Sequence, residues 1–482
     1  MIDEAAALSE HAFTTEVLPA LSAILGPRGL LQGDDTAGYT EDWRRLYQGS
    51  TPAVLRPAST DEVAAVVRLC AETGTPLVPQ GGNTSMVGGA TPRANGRDLV
   101  LSLSRLNRVR DVDAEDMTMV VEAGVVWKTA QDAAAAAGCL LPLSISSEGT
   151  AQVGGILSAN AGGNNTVRYG NARDLVLGLE AVLPDGQVWH GLRRLRKDNT
   201  GYSLRQLLVG AEGTLGVITA AVLKLAPRPA DIQVALCAVP SVAAACALFR
   251  RFQQADPGAV QAFEYMSGAG MGFVLDHIPG AVLPLQARAS HYALVELATP
   301  RVGGNLRATL EAVLELALDD GLVDDAAIAE SEAQRQAIWK LREEHAEAQK
   351  REGASVKNDV SVPVSRVPEL IERASAACVA LIPGTRPVPF GHLGDGNIHM
   401  NLEQPPGMGA AAFLARDHEI MDTVNAVVRD LGGSFSAEHG IGQLKPYMMP
   451  EWRGGAELDA MRRIKAALDP QGIMNPGKVL PI

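Results

Sequence analysis

The sequence predicts a chain of two or three domains that combine helices with hairpin-paired strands, and four observations say so. Its 482 residues exceed one ordinary domain, and 46% hydrophobic content is the level of a globular chain with a large core. A capping-box pattern opens a helix after Pro57, and Asp-Gly turn signals at Asp185-Gly186 and Asp395-Gly396 each interrupt strand-like runs.

Taken in order, Ser59 and Glu62 cap a helix carrying Val63, Val66, Val67 and Cys70, which Gly74 ends. A short strand at Pro76–Pro79 runs into QGGNTSMVGG, a Gly-rich turn whose bare backbone N–H groups suit a phosphate. Its spacing is not GxGxxG opening a helix, so it does not argue for nicotinamide binding. A second Gly-rich loop, SSEGTAQVGGILSANAGGNNTVRYG, precedes the alternating DLVLGLEAVLPDGQVW, which turns at Asp185-Gly186. Residues 195–229 add a short helix, a Gly-flanked loop and a strand ending at Pro227 and Pro229. Ala-rich helices follow.

Composition excludes several classes of partner. A formal charge of −13 with no basic run argues against nucleic acid and anionic lipid, leaving small molecules or proteins. The opening MIDEAAALSEHAF has Asp3 and Glu4 where a signal peptide needs positive charge, and no apolar run reaches membrane-span length, so a cytoplasmic location without a membrane span is expected. Cys70, Cys139, Cys237, Cys246 and Cys378 show no CxxC spacing and read as buried small hydrophobes. A homodimer is the default expectation for a soluble assembly.

The most informative segment is GHLGDGNIHMNL, residues 391–402, read with SAEHG, residues 436–440. A two-residue turn centred on Asp395-Gly396 would set His392 directly opposite His399, with Cβ atoms about 4.5–5.5 Å apart. Asn401 then projects to the same face. Glu438 offers a third ligand, and His439 is left over as a base. Two His and one carboxylate form a catalytic metal set with an open position, and nitrogen plus oxygen donors suit Zn²⁺ best, with another divalent metal such as Mn²⁺ as a substitute. Three of the nine His fall in these two Gly-flanked segments. His11, His190, His277, His291, His345 and His418 have no such company and read as structural or solvated.

PQGGNTSMVGG, NAGGNNTVRYG, LRKDNTGYSLRQLLVGAEGTLGVIT, GHLGDGNIHMN, SAEHGIGQLK and LDPQGIMNPGKVL occur in this order, spread between Tyr39 and Val479. In these motifs the chain resembles the FAD-linked D-2-hydroxyacid dehydrogenases of the vanillyl-alcohol-oxidase-like superfamily. The resemblance implies an α+β fold: a two-lobed FAD-binding domain of the vanillyl-alcohol-oxidase/PCMH type at 1–228, an antiparallel-sheet substrate or cap domain at 229–430, and a helical segment at 431–482 returning to the flavin. It implies that Gln80, Gly81, Gly82, Asn83 and Thr84 cradle the FAD pyrophosphate beside Ser85. Ser147, Gly149, Thr150, Gly154, Asn160, Gly163, Tyr169, Gly170, Glu212, Gly213 and Ile218 would line the flavin, and Asn475 would reach the isoalloxazine edge. With no His or Cys in the first two loops, the FAD is expected to be noncovalent.

The resemblance also assigns the metal to His392, His399 and Glu438, with His439 as substrate-binding base. It selects Arg342 for the C1 carboxylate, and Lys357 with Asn401 for a distal carboxylate, which favours D-2-hydroxyglutarate or D-malate over D-lactate or glycolate. Ala346 departs from the hydroxyl residue usual four positions after the arginine. No motif distinguishes an electron-transfer flavoprotein, a quinone or oxygen as the electron acceptor. The contrasting expectation is a noncatalytic flavin subunit of a redox complex, against which the intact His439 argues.

Overall fold

The structure, a computed structural model, describes residues 13–481; His11 lies outside them. Ser59 Oγ accepts the Glu62 N–H at 3.1 Å and starts a helix at Thr60–Thr73, which Gly74 closes at φ +64°. Its Val63, Val66, Val67 and Cys70 are buried, as the 3.6-residue period requires. The next strand is Leu77–Gln80, one residue later than expected. It lies parallel to Leu99–Ser102, which in turn pairs parallel with Val54–Leu55, and Leu30–Leu31 completes a four-stranded sheet.

An antiparallel sheet of five strands follows, in the order Val109–Asp113, Thr118–Glu122, Val217–Lys224, Val176–Val182, Val188–Gly191. Val182 pairs with Val188 across the Asp185-Gly186 turn, where Gly186 has φ +82°. The two sheets share a core: Val182 and Val217 of the second pack with the Thr60–Thr73 helix and with Leu77, Leu99 and Leu101 of the first.

The third sheet is antiparallel and has eight strands. Six run in the order Asp325–Ile328, Asp231–Val239, His291–Thr299, Val260–Ser267, Arg386–His392, Asn397–Glu403; Ser355–Val356 and Asp359–Ser361 both pair with Asn397–Glu403. Alternation splits each strand between two cores. Val295, Leu297, Phe263 and Ile398 join a core with the helices Val242–Ala255, Leu306–Asp319, Val367–Leu381 and Asp417–Asp430. Tyr292, Leu294, Met266 and Phe390 face the helices Gly268–His277, Glu332–Glu343 and His345–Glu352. Period 2 puts Glu264, His399, Asn401 and Glu403 on that second face.

The chain end comes back to the first sheet. The Leu77 N–H donates to Ile473 O at 2.8 Å, the Asn475 N–H donates to Leu77 O at 2.8 Å, and Met474 is fully buried there. All five Cys are free and buried, and no helix among the described residues is long and apolar enough to cross a membrane.

Candidate active site

The expected hairpin forms, but in a different register. The turn takes four residues, Leu393–Gly396, so His392 pairs with Asn397 and His399 pairs with Phe390. His392 and His399 are therefore diagonal rather than opposite. They remain on one face because the slip is two residues, an even number, and their ring centroids lie 5.8 Å apart.

His392 Nδ1 is 2.8 Å from Glu264 Oε1, and both residues are buried. Burial alone would depress the imidazole, but the Glu264 carboxylate overrides it and raises His392 to about 9. Glu264 is likewise held down to about 2 against its own desolvation by His392 and Arg342. His399 moves the other way: burial pushes it well below the usual range, with His392 and His439 adding to the effect against Asp359. A neutral ring is the ligating form.

The SAEHG loop is fastened by a residue that sequence reasoning passed over. Asp359, buried in the strand beside His399, accepts the backbone N–H groups of Glu438 at 3.0 Å and His439 at 2.9 Å through Oδ2, and Asn397 Nδ2 at 2.9 Å through Oδ1. Desolvation works against its charge, but His439, Lys445 and His399 hold the carboxyl well below the usual range. Asp359, His399, Glu438 and His439 bring one ligand atom each within 4.8 Å of the others. His392 stands outside that group, turned onto Glu264. His399 Nε2 is 3.6 Å from Glu438 Oε1, while His439 Nδ1 is 3.5 Å from Asp359 Oδ2 and its Nε2 4.0 Å from Glu438 Oε1.

The substrate candidates meet along the same face. Arg342 is buried, donates from Nε to Glu264 Oε2 at 2.7 Å and lies over Phe390, 4.9 Å from the ring centroid. Ala346, one turn on, is exposed. Lys357 Nζ and Asn401 Nδ2 both donate to Gln349 Oε1, the latter at 2.9 Å. Burial lowers Lys357 to about 8 despite the neighbouring Glu403 carboxylate. Gln349 and Glu264 were both missed by sequence reasoning. The only signal for Glu264 is a carboxylate inside the apolar run AFEYM, and Gln349 sits among charges.

The Gly-rich loops converge on this cluster. A Cβ on Gly82 would stand 2.1 Å from Thr150 O, and one on Gly163 2.1 Å from Ser144 O, so these glycines let backbones touch. Gly149 has open space where a side chain would be, while Gly154 and Gly213 pack against Ala123 and Pro79. Seven non-glycine residues among those described have positive φ, and four of them, Asn83, Asn160, Glu212 and Asn475, are motif-selected flavin residues. Such conformations concentrate at functional sites.

Several of these side chains brace the loops. Gln80 donates to Tyr39 O and Ala90 O, Asn83 to Glu41 O, and Thr150 Oγ1 to Ser147 O, while Ser85 Oγ accepts the Gly89 N–H. Asn160 Oδ1 accepts the Arg173 N–H, and Gly170, at φ +77°, follows Tyr169, whose ring lies under Arg168. Ile218 is buried in the core of the second sheet. Thr84 and Gly81 are half-buried. The Glu212 carboxylate accepts the Ile441 and Gly442 N–H groups at 2.7 and 2.8 Å, and Asn475 Nδ2 donates to Glu212 O and Gly89 O. Gln152 Oε1 and Asn475 Oδ1 are buried acceptors without partners among the described residues. Orphan acceptors beside open glycine backbone fit a large polar cofactor. A Cβ on Gly162 would lie 3.3 Å from Glu438 Oε2, so the second Gly-rich loop touches the ligand cluster.

Comparison with known proteins identifies the family. Residues 228–479 match the family described as FAD linked oxidases, C-terminal domain, and residues 51–191 match the FAD binding domain family. The chain belongs to the FAD-linked oxidases and is an FAD-dependent oxidoreductase of the α+β, PCMH-type fold. Within them it groups with the D-2-hydroxyacid dehydrogenases. It is 37% identical to the mitochondrial D-2-hydroxyglutarate dehydrogenase of Bos taurus over 96% of this chain and 83% of the relative. It is 34% identical to the D-2-hydroxyglutarate dehydrogenase of Stutzerimonas stutzeri over 93% and 95%. Among solved structures, p-cresol methylhydroxylase with substrate bound superposes with a TM-score of 0.75 at 16% identity, covering 98% of this chain and 97% of that one. That likeness concerns the fold.

Proposed function

We propose that this chain oxidises a D-2-hydroxy dicarboxylate, D-2-hydroxyglutarate first and D-malate as a shorter homologue, to the 2-oxo acid. The observation that carries this reading is the convergence of Lys357 Nζ and Asn401 Nδ2 on one point, two residues along the strand from His399. A monocarboxylate such as D-lactate or glycolate has no second carboxylate to meet these two donors.

When bound, FAD supplies the hydride acceptor at N5, and a divalent cation, Zn²⁺ by donor type, supplies a Lewis acid for the substrate hydroxyl. His392, His399 and Glu438 are the residues we assign to hold the cation. Glu264 on His392 Nδ1 leaves Nε2 as the ligating nitrogen, the usual arrangement for a metal histidine. Asp359 is the alternative ligand, but its two oxygens already accept three N–H donors. It is better suited to brace the loop. His439 takes the hydroxyl proton: its Nδ1 faces Asp359, which leaves Nε2 as the accepting nitrogen and stabilises the imidazolium that forms. Arg342, fixed by Glu264 through Nε, offers its Nη groups to the C1 carboxylate.

The test is product formation from D- and L-2-hydroxyglutarate, D-malate, D-lactate and glycolate with an artificial electron acceptor. The reading expects 2-oxoglutarate from the D-enantiomer with the highest kcat/KM. A higher kcat/KM for D-lactate or glycolate contradicts it.

A further inference from the structure

The hydrogen-bond pattern around Gln349 has one consistent direction. The Asn358 backbone N–H donates to Asn401 Oδ1 at 3.2 Å, which fixes the Asn401 amide and turns its Nδ2 toward Gln349. Lys357 Nζ can only donate, and it donates to the same Gln349 Oε1. Two donors on one oxygen fix the Gln349 amide in turn. Its Nε2 is then left as a fully buried donor with no partner among the described residues. An orphan of this kind destabilises the fold unless a water or a ligand supplies an acceptor.

The position of that orphan is informative. Gln349 and His345 lie one turn apart on the buried face of the helix His345–Glu352, Arg342 is buried near the end of the preceding helix, and the Asn401 Nδ2 bond to Gln349 sets that face against the hairpin strand carrying His399 and Asn401. The unpartnered N–H therefore sits beside the two groups assigned to a distal carboxylate. Its preferred partner is an anionic acceptor.

We infer that Gln349 is the third member of the distal-carboxylate clamp: its Oε1 holds Lys357 and Asn401 together, and its Nε2 donates to the substrate. The inference rests on the dicarboxylate reading above. It adds a specificity residue that neither the motifs nor the relatives' names indicate.

The experiment uses the FAD-loaded enzyme and glutarate, a dicarboxylate without the reacting hydroxyl, whose binding is followed by perturbation of the flavin spectrum. Gln349→Met removes both functions of the amide. Gln349→Glu keeps an oxygen for Lys357 and Asn401 but replaces the donor with a charge. Both variants are expected to weaken glutarate binding about tenfold or more, while D-lactate turnover stays within about threefold because C1 and C2 are untouched. Glutarate binding by Gln349→Glu as tight as wild type overturns the inference and leaves a purely positioning role. Equal losses for glutarate and D-lactate also overturn it. Wild-type enzyme that binds glutarate through Gln349 yet fails to oxidise D-2-hydroxyglutarate would uphold the clamp and contradict only the reaction.

Discussion

Asp359 grips His439 twice with one oxygen: Oδ2 accepts its backbone N–H at 2.9 Å and lies 3.5 Å from its ring Nδ1. The base is therefore positioned and polarised by the same carboxylate. Asp359→Asn places an amide where a backbone N–H or the ring needs an acceptor. The expected result is a fall in kcat of about 10²-fold or more with KM little changed and FAD content retained. A kcat within about threefold of wild type would separate Asp359 from proton transfer.

Metal binding should depend on pH through His392. Its value is raised to about 9 by Glu264, so in metal-free protein it is protonated at neutral pH and must release that proton to ligate. Affinity for Zn²⁺ is expected to tighten by about tenfold per pH unit from 6.5 toward 9. The sign for stability follows from the same shift. A raised histidine contributes fully below its unfolded value of 6.5 and loses that contribution as pH rises through about 9, so metal-free protein should melt at lower temperature at pH 9.5 than at 6.5. Glu264→Gln should flatten the pH dependence and weaken the metal about 10–100-fold, measured by competition with a chromophoric chelator.

Gly162→Ala tests how closely the flavin loop approaches Glu438. The added Cβ would meet Glu438 Oε2 at 3.3 Å and Asn171 Oδ1 at 3.2 Å, with no positive φ to strain the backbone. The carboxylate has to give by a few tenths of an ångström. Turnover is expected to drop about tenfold at unchanged FAD content and nearly unchanged melting temperature.

Lys357→Met should cost D-2-hydroxyglutarate about 10²-fold in kcat/KM, the scale of one charged hydrogen bond, and D-lactate only a few-fold. Equal losses on the two substrates would remove Lys357 from substrate recognition.

The elements of this fold were largely legible because they rest on local chemistry. The cap at Ser59 and the turn at Asp185-Gly186 need only neighbours in sequence. The register of the His392 hairpin was not legible, since a Cβ on Gly396 would lie 2.1 Å from Val362 O, and that packing comes from the segment just after the strand Asp359–Ser361. The site survived this misreading because a two-residue slip keeps His399 on its face. Glu264 and Asp359 were invisible for a different reason. A carboxylate in a strand carries no mark of its partner, and Glu264 meets His392 across 128 residues of chain. Gln349 was hidden in a charged helix whose buried face emerges only when the hairpin packs on it.

The most direct test of the central claim is the anaerobic visible spectrum of the FAD-loaded protein after D-2-hydroxyglutarate, with D-malate and D-lactate alongside, each repeated on protein stripped by a chelator. Bleaching of the flavin bands fastest with D-2-hydroxyglutarate, abolished by stripping and restored by Zn²⁺, is the predicted result. Bleaching fastest with D-lactate, or bleaching by D-2-hydroxyglutarate that survives metal removal, would contradict it.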